Sequence, residues 1–162
     1  MMKIVGIAMI AISTIVVGFI YYDKYKRRVD SLHKFVKLLS CYKFELKWSR
    51  KDIKDVLKIF KDDKYIDEVK TLIYECDLCE SFIKKNQLFK YLELNKEDEN
   101  IIVNFLTDTG KGNFETEYAL CCKTLECLEK RQEEAAAQFK KLGPLYLKLG
   151  IVCAVGLFIM LI

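Results

Sequence analysis

The chain has 162 residues, 52% of them hydrophobic, with 27 Lys+Arg against 23 Asp+Glu and a formal net charge of +4. Bases and acids alternate through the middle of the chain rather than gathering in a stripe, so composition gives no footprint for nucleic acid. His33 is the only histidine and Gly110-Lys111-Gly112 is too short to cradle phosphates, which leaves triad, metal-hydrolase and nucleotide chemistry without their parts.

Residues 4–22 carry no ionisable group except two tyrosines. Nineteen residues of apolar helix, at about 1.5 Å rise each, match the ~30 Å core of a bilayer, so the first expected element is a membrane-spanning helix. It exits through Tyr21, Tyr22, Asp23, Lys24, Tyr25, Lys26, Arg27 and Arg28. Interfacial rings followed by bases favour an anchor over a cleaved signal peptide or the buried helix of a water-soluble core. Those bases also meet anionic headgroups, each contact contributing about 1 kcal/mol near a surface.

The helix is expected to continue outward through Tyr25, because Leu32, Phe35, Leu39, Tyr42 and Leu46 recur at three- and four-residue steps and form one apolar stripe. Ser49 reads as the cap of a second helix, with Asp52 in its first turn and Ile53, Val56, Leu57 and Phe60 on one face, broken by Asp62, Asp63 and Lys64. Val69, Leu72, Ile73, Cys76, Cys79 and Ile83 make a third stripe. Leu88, Phe89, Tyr91 and Leu92 make a short fourth element. Asn95 is placed to cap a fifth helix, with Glu97, Asp98 and Glu99 in its first turn, Ile101, Ile102, Phe105 and Leu106 buried, and Gly110 at its end.

After the turn Gly110-Lys111-Gly112-Asn113, the positions Phe114, Tyr118, Cys121, Leu125, Leu128, Gln132, Ala135, Phe139 and Leu142 keep a four-three alternation. The 29 residues of 114–142 make a helix of about 43 Å, long enough for part of it to extend as a stalk. Its seam thins at Gln132, Ala135 and Ala136, which suits either the close approach of a partner helix or an ordinary solvated stem. Residues 149–162 are apolar but only fourteen in number. Counted from Leu142, with Lys148 snorkelling to the headgroups, they make a second span, favoured over a tail packed on a soluble core. Gly150 with Ala154, and Ala11 with Gly18, are small-residue pairs that would allow membrane helices to approach closely, though such spacings arise often by chance in apolar segments and that reading is favoured here.

Lys3 alone among the bases precedes the first span, while Lys24, Lys26, Arg27, Arg28, Lys140, Lys141 and Lys148 lie beside the two spans on the middle region's side. That side is therefore expected to be cytoplasmic, with both termini outside. The resulting expectation is an all-α protein: a cytoplasmic bundle of about six helices flanked by N- and C-terminal transmembrane helices. The divisions fall at residues 1–23, 24–141 and 142–162. Seven cysteines, Cys41, Cys76, Cys79, Cys121, Cys122, Cys127 and Cys153, show no framework spacing and read as reduced thiols. Cys76-Asp77-Leu78-Cys79 has the spacing of a redox or metal pair, but also that of one face of an amphipathic helix. No catalytic, cofactor-binding or metal-binding residue is indicated. Lys111, Asn113 and Glu115, around the inter-helix turn, are the candidate partner-binding residues.

The stretch 101–134 followed by Leu142-Gly143-Pro144-Leu145-Tyr146-Leu147-Lys148-Leu149-Gly150 and an apolar tail resembles the stage III sporulation protein AB family. In that family the turn before the long helix reads Leu-Gly, then Asp, then Gln four residues on; this chain has Thr109-Gly110, Asn113 and Glu117. The resemblance implies a non-enzymatic subunit of the channel joining mother cell and forespore, with a soluble domain similar to the cytoplasmic domain of the type II secretion platform protein F. It further implies docking of a cytoplasmic secretion-type ATPase and polytopic membrane subunits from the mother-cell side of the outer forespore membrane. Two other readings stay open: a thiol-based redox or metal-binding membrane protein centred on Cys76 and Cys79, and a membrane-anchored helical scaffold unrelated to sporulation.

Overall fold

The computed structural model describes the backbone of residues 2–49, 53–59 and 92–161, and the side chains of all of these except 2–5, 7, 8, 54, 59, 158 and 161. Every regular element among the described residues is an α-helix: α1 Met2–Ser49, α2 Ile53–Ile59, α3 Lys96–Asp108 and α4 Phe114–Leu161. The all-α expectation holds. Of the six or so helices expected, four are seen; the stripe at 69–83 and most of the element at 88–92 lie outside the described residues.

Contact topology divides the chain into two units, residues Met1–Asp30 with Glu133–Ile162, and Ser31–Gln132. The second is organised by the α1 stripe. Leu32, Phe35, Leu39, Tyr42 and Leu46 are all buried, joined by Leu38. Ile53, Val56 and Leu57 from α2, Ile102 and Phe105 from α3, and Cys121, Leu125 and Leu128 from α4 complete the core. Tyr42 and Phe105 meet edge to face with centroids 6.2 Å apart. Each large apolar side chain so enclosed contributes about 1.5–3 kcal/mol against exposure to water.

One sequence expectation is corrected here. Ser49 is the last residue of α1 and not the cap of a second helix. The cause is that α1's buried stripe runs on to Leu46, and Lys47 in the last turn is favoured at the helix C-terminus, so the helix outlasts the serine. α2 begins at Ile53, and Asp52 lies outside the described residues.

Between Leu92 and Leu94 the chain bends through Glu93, whose φ of 52° lets both leucines bury. Ser31 Oγ donates to the Leu92 carbonyl at 3.1 Å and ties this bend to α1. α3 then starts as expected from Asn95, whose φ of −77° and ψ of 156° are those of a cap, and whose backbone N–H reaches Asp98 Oδ2 at 3.4 Å. It ends at Thr109, and Gly110 follows with a φ of +84°, a left-handed conformation that glycine adopts without a Cβ penalty.

α4 runs unbroken from Phe114 to Leu161, so the expected long helix and the expected second apolar segment are one element. Pro144 lies inside it and, lacking an N–H, cannot donate to the Lys140 carbonyl.

Candidate membrane hairpin and docking surface

The first unit pairs two antiparallel helical segments, and small residues make its seam. A methyl group built at Gly18 would lie 2.8 Å from the Tyr146 carbonyl oxygen and 3.3 Å from Gly150 Cα. One built at Gly150 would lie 3.1 Å from the Thr14 carbonyl oxygen and 3.4 Å from Gly18 Cα. Glycine at both positions is therefore what lets these backbones meet. Ala154 is buried and Ala11 half-buried, so the two small-residue pairs noted in the sequence include the glycines that meet across this seam.

Large apolar side chains point the other way. Ile12, Val16, Phe19 and Ile20 of α1 and Val152, Val155, Ile159 and Met160 of α4 are exposed. Small residues inside and branched or aromatic ones outside reverse the pattern of a helix pair that folds in water. The hydroxyls in this stretch turn back to their own helix: Ser13 Oγ donates to the Met9 carbonyl at 2.9 Å and Thr14 Oγ1 to the Ala11 carbonyl at 2.8 Å.

Among the described residues no helix is long and apolar enough to cross a membrane. The described side chains give α1 an uncharged stretch over 9–22 and α4 one over 149–157, each short of the roughly 20 residues a bilayer core requires. The full run of 4–22 includes positions 4, 5, 7 and 8, whose side chains lie outside the described set.

A ring ladder closes one end of the seam. Tyr146 stacks on Tyr21, with centroids 5.2 Å apart, and on Tyr25, at 5.9 Å; Tyr22 meets Phe139 at 5.3 Å. Just beyond it Arg28, only 6% exposed, donates from Nη1 to Gln138 Oε1 at 2.9 Å.

In the second unit the α3–α4 turn carries the three candidate docking residues, and all three are exposed. Lys111 and Glu115 face outward. Asn113 is occupied structurally, since its Oδ1 accepts from the Thr116 backbone N–H at 2.9 Å and caps α4. Glu117 accepts from the Gly110 backbone N–H across the turn. The polar positions that depart from the family's usual turn sequence thus still close the turn and cap the helix.

Two features are not evident from sequence. Asp98 is fully buried, and Arg131 Nε donates to its Oδ1 at 2.7 Å while Arg131 Nη2 lies 2.7 Å from Glu97 Oε2. One guanidinium therefore pins the start of α3 to α4. The pairing spans 33 residues, which no local pattern announces. The second feature is an aromatic pair on α1: Phe44 is 60% and Trp48 70% exposed, their rings 6.3 Å apart, and Lys47 Nζ lies 5.9 Å from the Trp48 ring centroid. Both sit half a turn out of phase with Tyr42 and Leu46, a signal visible in the periodicity once the buried stripe is fixed.

Among the described residues the thiols form no site. Cys121 is buried, its Sγ donates to the Leu39 carbonyl at 3.6 Å, and burial, with Cys122 close by, pushes its pKa up to about 12. A thiol so held stays protonated and unreactive at neutral pH. Cys127 and Cys153 are exposed, and Cys76 and Cys79 lie outside the described residues. His33 makes a 3.2 Å contact with the Gln132 amide, and among the described residues no group of His, Cys, Asp and Glu is placed to hold a metal ion.

Among known families, the model of stage III sporulation protein AB matches residues 3–162. No curated protein and no solved structure gives a significant match.

Proposed function

Since the chain belongs to the stage III sporulation protein AB family, we propose that it is a membrane-anchored, non-enzymatic assembly subunit of the mother cell to forespore channel that endospore formation requires. Membership ties the chain to sporulation. The anchoring rests on one observation above others, the inside-out construction of the first unit, in which glycines meet in the seam and large apolar side chains cover the outside. In water such a pair would expose its apolar area and gain little by packing; in a bilayer the same surface meets lipid tails, and close backbone contact drives association.

On this reading residues 1–23 and 142–162 cross the outer forespore membrane, with the helical domain on its mother-cell side. The ring ladder of Tyr21, Tyr22, Tyr25 and Tyr146 sits at the headgroup level. The domain docks a cytoplasmic secretion-type ATPase and polytopic membrane subunits. Lys111, Glu115 and the exposed Phe44–Trp48 pair are the surface for that contact, since exposed aromatic anchors carry binding energy out of proportion to their number.

Affinity purification of the tagged chain from sporulating cells tests this. Recovery of the ATPase or a polytopic channel subunit is the expected result, weakened in a Phe44→Ser/Trp48→Ser variant that still inserts. Recovery with no channel subunit counts against the reading.

A further inference from the structure

The hairpin brings together two basic clusters that are more than 110 residues apart in sequence. Tyr22 touches Phe139, and a Cβ at Gly143 would lie 3.4 Å from the Tyr22 ring, so the residues following Tyr22 on α1 and those following Phe139 on α4 emerge at one level. At that level stand Lys24, Lys26 and Arg27 from α1 and Lys140 and Lys141 from α4, all with solvent-accessible side chains. Asp23 is the acid among them, and it is taken up by Arg27, whose Nε lies 2.6 Å from its Oδ2. Arg28 turns inward to Gln138. The collar therefore carries an excess of positive charge contributed from both helices, with its lysines on the outer surface. Directly beside them, on the apolar side, lie the stacked rings of Tyr21, Tyr25 and Tyr146.

We propose that this collar binds the phosphates of anionic phospholipids, so that the protein selects acidic lipid around its hairpin. The occupant follows from what the collar adjoins. A ring of ammonium groups set against an aromatic belt and an apolar perimeter has its complement in a lipid, whose phosphate lies at the ring and whose chains lie along Val16, Ile20 and Leu149. Lysine suits this position because its three donors sit on a long apolar stem that packs along the helix while the charge reaches the phosphate plane. The proposal rests on the membrane reading and goes further, since an inserted hairpin can be indifferent to headgroup charge.

The test uses the full-length chain in detergent, with native mass spectrometry counting bound phosphatidylglycerol against phosphatidylcholine supplied in equal amounts. The native chain is expected to retain phosphatidylglycerol preferentially, by about tenfold, and to lose that preference as ionic strength rises. Replacing all four collar lysines, Lys24→Gln, Lys26→Gln, Lys140→Gln and Lys141→Gln, abolishes the preference; Lys123→Gln with Lys130→Gln, away from the collar, leaves it intact. Absence of a preference in the native chain, or its survival in the four-lysine variant, overturns the proposal. So does a requirement for the four lysines in channel-subunit recovery without any lipid preference, which makes the collar a protein-docking surface. Carbonate extraction separates the two levels: a chain that resists extraction but ignores headgroup charge sinks this inference alone, while a chain that is released sinks the membrane reading beneath it.

Discussion

At the residue scale, the turn between α3 and α4 separates shape from the proposed recognition. Asn113 accepts from the Thr116 N–H and so holds the first turn of α4, whereas Lys111 and Glu115 point to solvent. Asn113→Ala is expected to cost about 1 kcal/mol, the value of a lost cap, read as a lower midpoint in thermal unfolding followed by circular dichroism. Lys111→Ala and Glu115→Ala are expected to stay within about 0.5 kcal/mol of the native chain, so any loss of channel-subunit recovery in those variants reports docking and not folding. Cys121 supports a prediction with a pH sign. Its folded pKa is raised to about 12 from an ordinary value of 9.0, chiefly by burial, so the folded state holds the thiol proton more tightly than the unfolded one. The stability this contributes is complete below pH 9 and is lost as pH climbs toward 12. In chains keeping a single cysteine, Cys127 should react with maleimide at neutral pH while Cys121 resists until denaturant is added. Comparable rates for the two would show that Cys121 is not enclosed as described.

At the scale of elements, the two helix pairings rest on opposite chemistries. The α1–α4 seam of the first unit depends on missing side chains, with the Tyr146 carbonyl 2.8 Å from where a Gly18 Cβ would stand. Gly18→Leu is therefore expected to force the helices apart at a cost of roughly 1–3 kcal/mol, while Gly6→Leu and Gly156→Leu, with open space around both, serve as neutral controls. Bis-maleimide crosslinking between Tyr21→Cys and Tyr146→Cys, at positions whose rings stack 5.2 Å apart, reads the separation without adding a side chain to the glycine seam. The α3–α4 pairing depends instead on a buried charge. Arg131→Ala leaves Asp98 enclosed without its guanidinium and is expected to cost about 3–5 kcal/mol in chemical denaturation, whereas the double replacement Asp98→Leu/Arg131→Met costs far less because no unpaired charge remains. These elements also mark where the sequence is readable. The stripe of Leu32, Phe35, Leu39, Tyr42 and Leu46, the cap at Asn95 and the stop at Gly110 are local patterns, and each falls where its spacing places it. Ser49 misleads because a capping residue type signals a helix start only where the preceding helix has already ended, and α1 has not. The Asp98–Arg131 bond is invisible in the sequence because Glu97, Asp98 and Glu99 look alike in a first turn, and only tertiary packing decides which carboxylate is enclosed.

For the molecule as a whole, the order of parts is what the sequence conveys best: apolar segment, helical middle and apolar segment, the layout of a family whose model covers residues 3–162. The proposed partner surface is less legible. Phe44 and Trp48 read as ordinary hydrophobic content until the buried face of α1 is known, after which their outward placement stands out. Topology yields the last prediction. Lys3 precedes the apolar run of 4–22, while Lys24, Lys26, Lys140 and Lys141 stand on the far side of the two apolar segments, and basic residues beside a span are retained in the cytoplasm. A chain whose only cysteine is introduced by Lys3→Cys, expressed in non-sporulating cells so that it enters the plasma membrane, should therefore react with a membrane-impermeant maleimide added to intact protoplasts. One keeping only Cys127, which is exposed in the helical domain, should not react until the bilayer is permeabilised. The pair is informative because each variant controls for the other: labelling of both in intact cells would place the domain outside, and labelling of neither would place residue 3 inside. Only the split result, outside at residue 3 and inside at Cys127, both carries the first apolar segment across the bilayer and leaves the domain on the side where a cytoplasmic ATPase can reach it.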